Sequence, residues 1–209
     1  MKKFLLHTCC APCSIAIIDE LKSQFELTVF FYNPNIYPEA EYLKRKAEVI
    51  KVCDEWDVPM KDFDSTSATP PEPPLGKRGI NYGQNEWHDQ VAKGLDSEPE
   101  GGRRCPLCFK FRLAKTAEYA AQNGFEIFGT SLTSGRNKKA DVIHPIGVAL
   151  AKVYKIKFYE EDWKKNGRQE KGRKMVAERL IYRQNYCGCV YSVNSKFQAP
   201  NSQLPVRGR

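Results

Sequence analysis

The residues Phe4-Leu5-Leu6-His7-Thr8-Cys9-Cys10-Ala11-Pro12-Cys13-Ser14 carry the pattern that best predicts the fold of this 209-residue chain. Its apolar start, Phe4 to His7, predicts a short strand, the cysteines form a loop, and Ser14 to Lys22 predicts a helix capped by Ser14. Strands and helices then alternate. The other predicted strands cover 26–32, 58–63, 125–130 and 155–159, and the other predicted helices cover 38–56, 86–92, 108–122, 148–154 and 171–183.

This alternation predicts the fold class. It indicates an α/β fold with a mainly parallel, doubly wound sheet, which forms a three-layer domain with helical insertions. In such sheets, ligands bind beyond the carboxyl ends of the strands. The cysteines that follow the first strand are therefore expected at the binding edge.

One catalytic α/β domain is predicted over 1–192. The proline-rich segment 65–85 predicts a lid or excursion, because it is unsuited to regular structure. Residues 193–209 are rich in Asn, Ser, Pro and Gln, which predicts a disordered tail.

The composition restricts the location and the partners. No apolar run approaches the roughly 18–20 residues that span a bilayer, so no membrane partner is expected. The first residues begin like a secretion signal, but the apolar stretch ends at His7 and charged residues follow soon after, which predicts a cytoplasmic location. Clustered thiols in that reducing compartment are expected to be ligands or catalytic groups.

The charge balance favours a polyanionic partner. The chain has 33 Lys and Arg against 25 Asp and Glu, a formal charge of +8, and nucleic acid is the leading candidate for such an excess. A basic surface that only confers solubility is the alternative. The densest basic stretch predicts either phosphate contacts or a solvated helix face, and contains Lys164, Lys165, Arg168, Lys171, Arg173 and Lys174.

Seven of the eight cysteines form three clusters. These are Cys9-Cys10-Ala11-Pro12-Cys13, Cys105-Pro106-Leu107-Cys108 and Cys187-Gly188-Cys189. Thiolates at such short intervals are typical of zinc sites, iron–sulfur clusters and redox disulfides. The sequence therefore predicts one thiolate-rich centre built from three remote segments, whereas the isolated Cys53 is expected in the core.

Each cluster leaves more than one interpretation open. Cys9 and Cys10 are adjacent, so an extended backbone would point their side chains to opposite sides. The pair in 105–108 suits a zinc knuckle, and the pair in 187–189 suits a strained disulfide or a metal. Seven thiols exceed the need of one zinc ion. Four could hold a [4Fe–4S] cluster, and the other three could bind a second iron or form a redox pair.

A polar and aromatic segment precedes the last cluster. Tyr182-Arg183-Gln184-Asn185-Tyr186 combines groups that can stack on an unpaired base and hydrogen-bond to it. Without the neighbouring cysteines, an ordinary polar helix end would be an equal alternative.

With these motifs assembled, the chain resembles the non-cobalamin epoxyqueuosine reductase family, QueH, over residues 3 to about 192. The resemblance rests on His7-Thr8-Cys9-Cys10-Ala11-Pro12-Cys13, on Arg104-Cys105-Pro106-Leu107-Cys108 with Arg112-Leu113, and on Tyr182-Arg183-Gln184-Asn185-Tyr186-Cys187-Gly188-Cys189. Tyr32-Asn33-Pro34-Asn35-Ile36 and the 130–139 loop agree with it.

The resemblance implies a fold, a reaction and a cofactor. The fold is similar to that of adenine-nucleotide hydrolase-like domains, and the reaction is the reduction of epoxyqueuosine to queuosine at the wobble base of tRNA. A [4Fe–4S] cluster maps onto Cys9, Cys10, Cys105 and Cys108. Cys187 and Cys189 would be a redox-active disulfide or ligands of a second, mononuclear iron, and Cys13 is a further candidate metal ligand.

The implied mechanism is a two-electron deoxygenation. Iron would polarise the epoxide oxygen, which leaves as water, while an unidentified donor renews the electrons. Tyr182, Arg183 and Gln184 would seat the flipped-out base, and the basic stretch with Lys164 and Lys165 would hold the tRNA backbone. The rival functions are a zinc-stabilised tRNA-binding module without redox catalysis and a thiol–disulfide oxidoreductase acting on proteins.

Overall fold

A five-stranded sheet forms the centre of the molecule. The computed structural model describes residues 1–63 and 83–193, and every strand pairing in that part of the chain is parallel. The order is β3-β2-β1-β4-β5, which confirms the predicted parallel, doubly wound sheet. The strands are β1 (Lys3–His7), β2 (Glu26–Phe30), β3 (Met60–Lys61), β4 (Ile127–Thr130) and β5 (Lys157–Phe158).

Helices cover both faces of the sheet. They are α1 (Ala11–Leu21), α2 (Glu39–Glu55), α3 (Gln84–Trp87) with a π-helical turn (His88–Ala92), α4 (Arg104–Gln122), α5 (Ala140–Tyr154), α6 (Arg168–Glu178) and α7 (Val190–Val193). None of the described helices is long and apolar enough to cross a bilayer.

The side chains of β1 alternate between two cores. Phe4 and Leu6 pack in one core with residues of α1, α2 and α6, whereas Leu5 packs in the other with residues of α4 and α5. Because successive side chains of a strand point to opposite faces, one short strand serves both cores. This arrangement confirms the predicted three layers.

The strand order places a binding edge beside β1. The chain adds β2 and β3 on one side of β1, and then returns to add β4 and β5 on the other. His7 of β1 lies beside Thr130 of β4 at their carboxyl ends. This is the topological switch point, where α/β sheets bind ligands.

The first helix begins earlier than predicted. It starts at Ala11, because Pro12 is tolerated in a first turn that needs no N–H hydrogen bond. Cys10 is the N-cap residue, and Ser14 lies inside the helix, where its Oγ donates to the Cys10 carbonyl at 3.0 Å. The predicted Ser14 cap is therefore wrong, and Cys13 lies in the first turn.

Other helix boundaries also differ from the prediction. α4 begins at Arg104 rather than at residue 108, and α6 begins at Arg168 rather than at residue 171. α5 begins at Ala140 rather than at residue 148, although it contains Pro145. Pro145 is exposed, so water can satisfy the carbonyl that its missing N–H leaves free. α6 ends at Glu178 rather than at residue 183. The segment 182–186 therefore lies beyond the helix.

Two predicted features lie largely outside the described residues. The lid prediction over 65–85 falls mostly on residues 64–82, and the tail prediction falls on residues 194–209 apart from Val193, which ends α7. Both remain predictions.

Candidate functional site

The first cysteine motif forms a compact group of thiols at the end of β1. The Sγ atoms of Cys9 and Cys10 lie 3.8 Å apart, and those of Cys9, Cys10 and Cys13 all lie within 4.8 Å of one another. The prediction that Cys9 and Cys10 point to opposite sides is wrong, because the chain bends at Cys9 and strand alternation ends there. The three thiols could hold a metal ion.

A buried cation accompanies this group. Lys138 Nζ lies 3.7 Å from Cys9 Sγ, and its residue is only 8% exposed. Hydrogen bonds from the Cys10 and Cys13 thiols hold the pKa of Cys9 well below its usual range, and the charge of Lys138 adds to this effect against burial. The thiolate, which is the metal-binding form, is therefore favoured at Cys9.

His7 supports the motif from behind. It is fully buried, and burial lowers its pKa to about 3, so the ring is neutral. Nε2 faces the Tyr32 carbonyl at 3.1 Å and must donate to it. Nδ1 therefore accepts from Thr130 Oγ1 at 3.0 Å, and that oxygen accepts from the Leu132 N–H. His7 is a hydrogen-bonded core histidine that fixes β1 to β4.

The second motif lies at the start of α4. The Gly101 N–H donates to Cys105 Sγ at 3.1 Å, and Trp87 Nε1 donates to Cys108 Sγ at 3.3 Å. Both sulfurs are thus acceptors near the start of the helix, with Cys105 in its first turn. The helix dipole favours a negative charge there, whereas burial raises the pKa of the Cys105 thiol. The motif lies at a helix start, as predicted from the sequence.

Arg45 holds the third motif in place. Its Nη1 donates to the Cys187 carbonyl at 2.9 Å and its Nη2 to the Tyr186 carbonyl at 3.3 Å. Gly188 has a φ of +108°, a conformation that a side chain would strain. All eight cysteines are free thiols, so the pairing of Cys187 with Cys189 stays a prediction.

The three motifs converge around Arg112. This side chain is fully buried on α4. Burial alone would lower its pKa, yet the pKa of Arg112 is raised by the sulfur atoms of four nearby cysteines. They are those of Cys108, Cys9, Cys187 and Cys105. The structure therefore gathers segments that are remote in sequence at one edge of the sheet, although the division of the thiols into ligand sets stays a prediction.

A basic cavity of about 610 Å³ opens beside the thiols. Cys13 and Cys187 line it, together with Lys138 and Gln184. Its lining includes five cationic side chains and one carboxylate, which are Arg136, Lys138, Arg168, Arg173, Arg183 and Glu100. The cavity is thus suited to an anionic or polar ligand next to the thiols.

The three predicted base-binding residues lie in different surroundings. Gln184 lines the cavity and donates from Nε2 to Cys10 Sγ at 2.8 Å, and the exposed Arg183 also lines it. Tyr182 does not line the cavity. Its hydroxyl donates to Glu41 on α2 at 2.9 Å, and Lys44 Nζ lies 3.6 Å from its ring centroid. Of the three predicted base-binding residues, Gln184 and Arg183 therefore lie at the cavity, and Tyr182 does not.

Much of the predicted basic stretch is neutralised within the protein. Arg168 pairs with Glu20 and Glu161 at 2.8 Å each, and Lys171 pairs with Asp19 at 2.7 Å. The pairs with Glu20 and Asp19 dock α6 on α1.

Two lysines of the stretch were predicted to bind the substrate, and they differ in exposure. Lys164 donates from Nζ to the Lys138 carbonyl at 2.6 Å, whereas Lys165 is exposed. Neither is among the residues that line the cavity. Arg173 is the exposed residue of the stretch that does line it.

Sequence reasoning gave no role to Lys138 or Arg45, and it placed Arg112 only within a family motif. A signal existed for Arg112, because it lies four residues after Cys108 and hence on the same helix face. Lys138 and Arg45 had no such signal, since only the folded chain brings them to the cysteines.

Comparisons with known proteins agree over nearly the whole chain. Residues 4–195 match the sequence model of the family described as epoxyqueuosine reductase QueH. The chain is 37% identical to the epoxyqueuosine reductase QueH of Histophilus somni over 98% of this chain and 78% of that protein. It is 38% identical to that of Acinetobacter baylyi over 91% and 80% of the two chains, and 33% identical to that of Thermotoga maritima over 92% and 91%.

Solved structures give more distant likenesses. The U34-tRNA thiolase NcsA from Methanococcus maripaludis with its [4Fe-4S] cluster has a TM-score of 0.38 and 11% identity, over 90% of this chain and 76% of that one. A deacetylase–teicoplanin complex has a TM-score of 0.44 and 8% identity, over 86% and 87%. The family assignment does not depend on either structure. It depends on the sequence matches, and by these the chain belongs to the epoxyqueuosine reductase QueH family, a family of oxidoreductases.

Proposed function

We propose that this protein reduces the epoxide of epoxyqueuosine at the wobble position of tRNA, in the cytoplasm where tRNA functions, and so produces queuosine. The observation that carries the proposal is the gathering of three cysteine motifs beside a basic cavity in a chain that matches the QueH family over residues 4–195. The reaction converts the epoxide to an alkene. It consumes two electrons and two protons and releases the epoxide oxygen as water.

The donor groups fit an iron–sulfur cofactor. Soft thiolates are its preferred ligands, and the two buried cations Arg112 and Lys138 can balance the charge of an anionic centre. Arg112 also has Nε and Nη2 without a hydrogen-bond partner among the described residues. We propose Cys9, Cys10, Cys105 and Cys108 as ligands of a [4Fe–4S] cluster, which would pass electrons to the substrate when bound.

The remaining thiols adjoin the cavity or the cluster ligands. Cys13 and Cys187 line the cavity, and Cys189 lies in the same buried group as Cys108. These positions support a role for the three as ligands of a second, mononuclear iron, or for Cys187 and Cys189 as a redox pair. The free thiols and the positive φ of Gly188 are compatible with both roles.

The size of the cavity supports recognition of one nucleoside. Small-molecule pockets commonly have about 300–1,000 Å³, and the cavity of about 610 Å³ lies within that range. A base that reacts here must leave its stack and enter the pocket. We propose that Gln184 and Arg183 orient that base and that Lys138 presents its positive charge to the departing oxygen.

The exposed arginines around the cavity supply a surface for the tRNA backbone. Arg136, Arg173 and Arg183 line the cavity and are exposed, and Lys165 is an additional exposed cation of the predicted stretch. Because phosphate contacts release counterions, binding through these groups should weaken as salt rises.

The decisive experiment measures cofactor and product together. The protein is purified or reconstituted without oxygen, assayed for iron and sulfide, and then incubated with dithionite and tRNA containing epoxyqueuosine. We expect visible absorption that dithionite bleaches, and a nucleoside product lighter by one oxygen atom. The low-potential reductant stands in for the unidentified donor. A protein that binds zinc, remains colourless and leaves the epoxide unchanged would instead be a tRNA-binding module without redox catalysis.

A further inference from the structure

The burial of the Arg112 side chain beside the cysteine motifs is not explained by ordinary packing. It lies on α4, four residues after Cys108 and seven after Cys105, and only 1% of it is exposed. A guanidinium is always charged in proteins. Its position therefore puts a permanent positive charge in the interior, beside the thiols.

The polypeptide provides hydrogen-bond acceptors for only some of the N–H groups of this guanidinium. Nη1 donates to Asn33 Oδ1 at 3.2 Å, and the Asn33 amide in turn donates to the Thr8 carbonyl at 2.9 Å. Nε and Nη2 have no hydrogen-bond partner in the described part of the chain. Buried donors without an acceptor are costly, so these two N–H groups indicate an acceptor that the polypeptide does not supply.

The surroundings identify the chemistry of that acceptor. No Asp or Glu of the described residues forms an ion pair with Arg112, whereas cysteine sulfurs of all three motifs lie close to it. Lys138 lines the cavity, but Arg112 does not. Its free donors therefore belong to the sulfur-rich interior rather than to the substrate pocket.

We propose that Arg112 is a positioning residue whose Nε and Nη2 donate hydrogen bonds to sulfur atoms of the anionic metal–thiolate centre. This inference rests on the proposed function. Hydrogen bonds to the sulfurs and a nearby positive charge favour the reduced, more negative form of such a centre, and so raise its reduction potential. Arg112 thus makes the centre easier to reduce.

The test compares reduction potentials rather than activity alone. Wild-type protein and the variants Arg112→Gln, Arg112→Lys and Lys110→Gln are reconstituted without oxygen, assayed for iron, and titrated with dye mediators while the visible spectrum is recorded. Lys110→Gln removes an exposed charge from the same helix and serves as the matched control. We expect Arg112→Gln to shift the reduction equilibrium at least tenfold toward the oxidised form, about 59 mV for one electron. Lys110→Gln should not shift it.

Arg112→Lys keeps the charge but loses the planar fork of donors, so its potential should lie between those of wild-type protein and Arg112→Gln. This variant decides the question if Arg112→Gln retains no iron. The inference is wrong if the iron-loaded Arg112 variants have the wild-type potential. It is also wrong if circular dichroism shows that Arg112→Gln and Arg112→Lys both fail to fold, because Arg112 would then serve the stability of the core. A wild-type protein that binds no iron contradicts the proposed function itself, and the inference with it.

Discussion

Gln184 donates a hydrogen bond from its side-chain Nε2 to the Sγ of Cys10 over 2.8 Å. Cys10 lies directly before α1, whereas Gln184 follows α6 near the other end of the described chain. The same Gln184 side chain also lines the basic cavity. A ligand that touches Gln184 therefore lies next to the thiol group, and this contact would link the proposed substrate pocket to the proposed metal centre.

Replacing Gln184 with Leu should weaken catalysis more than iron binding. The change keeps a similar volume but removes the donor to Cys10. As a ligand of the proposed cluster Cys10 would be a thiolate, and a hydrogen bond to a charged group contributes about 1.5–3 kcal/mol. We expect kcat/KM for epoxyqueuosine-containing tRNA to fall about tenfold or more, with iron content near the wild-type value. Gln90→Leu, at an exposed position on the π-helical turn, is the control. Wild-type turnover by Gln184→Leu would refute this role.

Replacing Cys105 with Ser should abolish both the iron signal and turnover. Cys105 is a proposed cluster ligand, and a hydroxyl is a poor substitute for a soft thiolate. The matched control is Cys53→Ala, because Cys53 lies on α2 with its side chain buried in the core, where burial raises its pKa to about 12. Iron and sulfide assays with single-turnover kinetics check both variants. A brown, active Cys105→Ser protein would show that the ligand assignment is wrong.

Replacing Arg173 or Arg183 with Gln should reduce the salt dependence of tRNA binding. Both side chains are exposed at the cavity, and removing one cation that binds a phosphate should lower the slope of log K against log salt by about 1. The measurement is a binding titration at several salt concentrations. Lys51→Gln removes an exposed charge from α2 and should leave the slope unchanged. If a variant with both Arg173 and Arg183 replaced by Gln kept the wild-type slope, these arginines would not form the tRNA-binding surface.

Replacing Gly188 with Ala should damage the third cysteine motif. An added Cβ would lie 2.9 Å from Arg45 Nη1, the group that donates to the Cys187 carbonyl, in a backbone with a φ of +108°. Gly124→Ala is the control, since Gly124 also has a positive φ of +72° but open space around it.

Both alanine variants should be less stable, since the positive φ costs roughly 1–2 kcal/mol, which corresponds to about 2–4 °C in Tm per kcal/mol for a chain of this size. Only Gly188→Ala should also lose turnover. Thermal melts and the tRNA assay separate the two effects. Equal losses of Tm and activity in both variants would mean that the contact between an added Cβ at position 188 and Arg45 has no effect of its own.

The fold could be predicted because its signals are local. The apolar residues of β1 and the alternation of strands with helices indicate a parallel sheet, and the sheet rule then places Cys9 and Cys10 at its binding edge. Local rules also caused the errors. The helix predicted over 148–154 starts too late, because α5 begins at Ala140 and tolerates Pro145 on its exposed face. The alternation of side chains along a strand does not hold past the bend at Cys9.

The site was less predictable because its charges depend on tertiary contacts. Arg112 and Lys138 are two among 33 basic residues, and nothing in a single sequence distinguishes a buried cation from a solvated one. Tyr182 shows the converse. Its aromatic ring suits base stacking, yet its hydroxyl contacts Glu41 on α2. No pattern within 182–186 predicts that partner.

The spread of the thiols along the chain determines when the thiol centre can be assembled during synthesis and folding. The first motif begins at Cys9 and the last ends at Cys189, so the ribosome exposes the first thiols long before it makes the last. A centre that draws on all three motifs can be completed only after Cys189 has been synthesised and the chain has folded. If iron occupies the proposed centre, its delivery to the finished site is therefore a post-translational step.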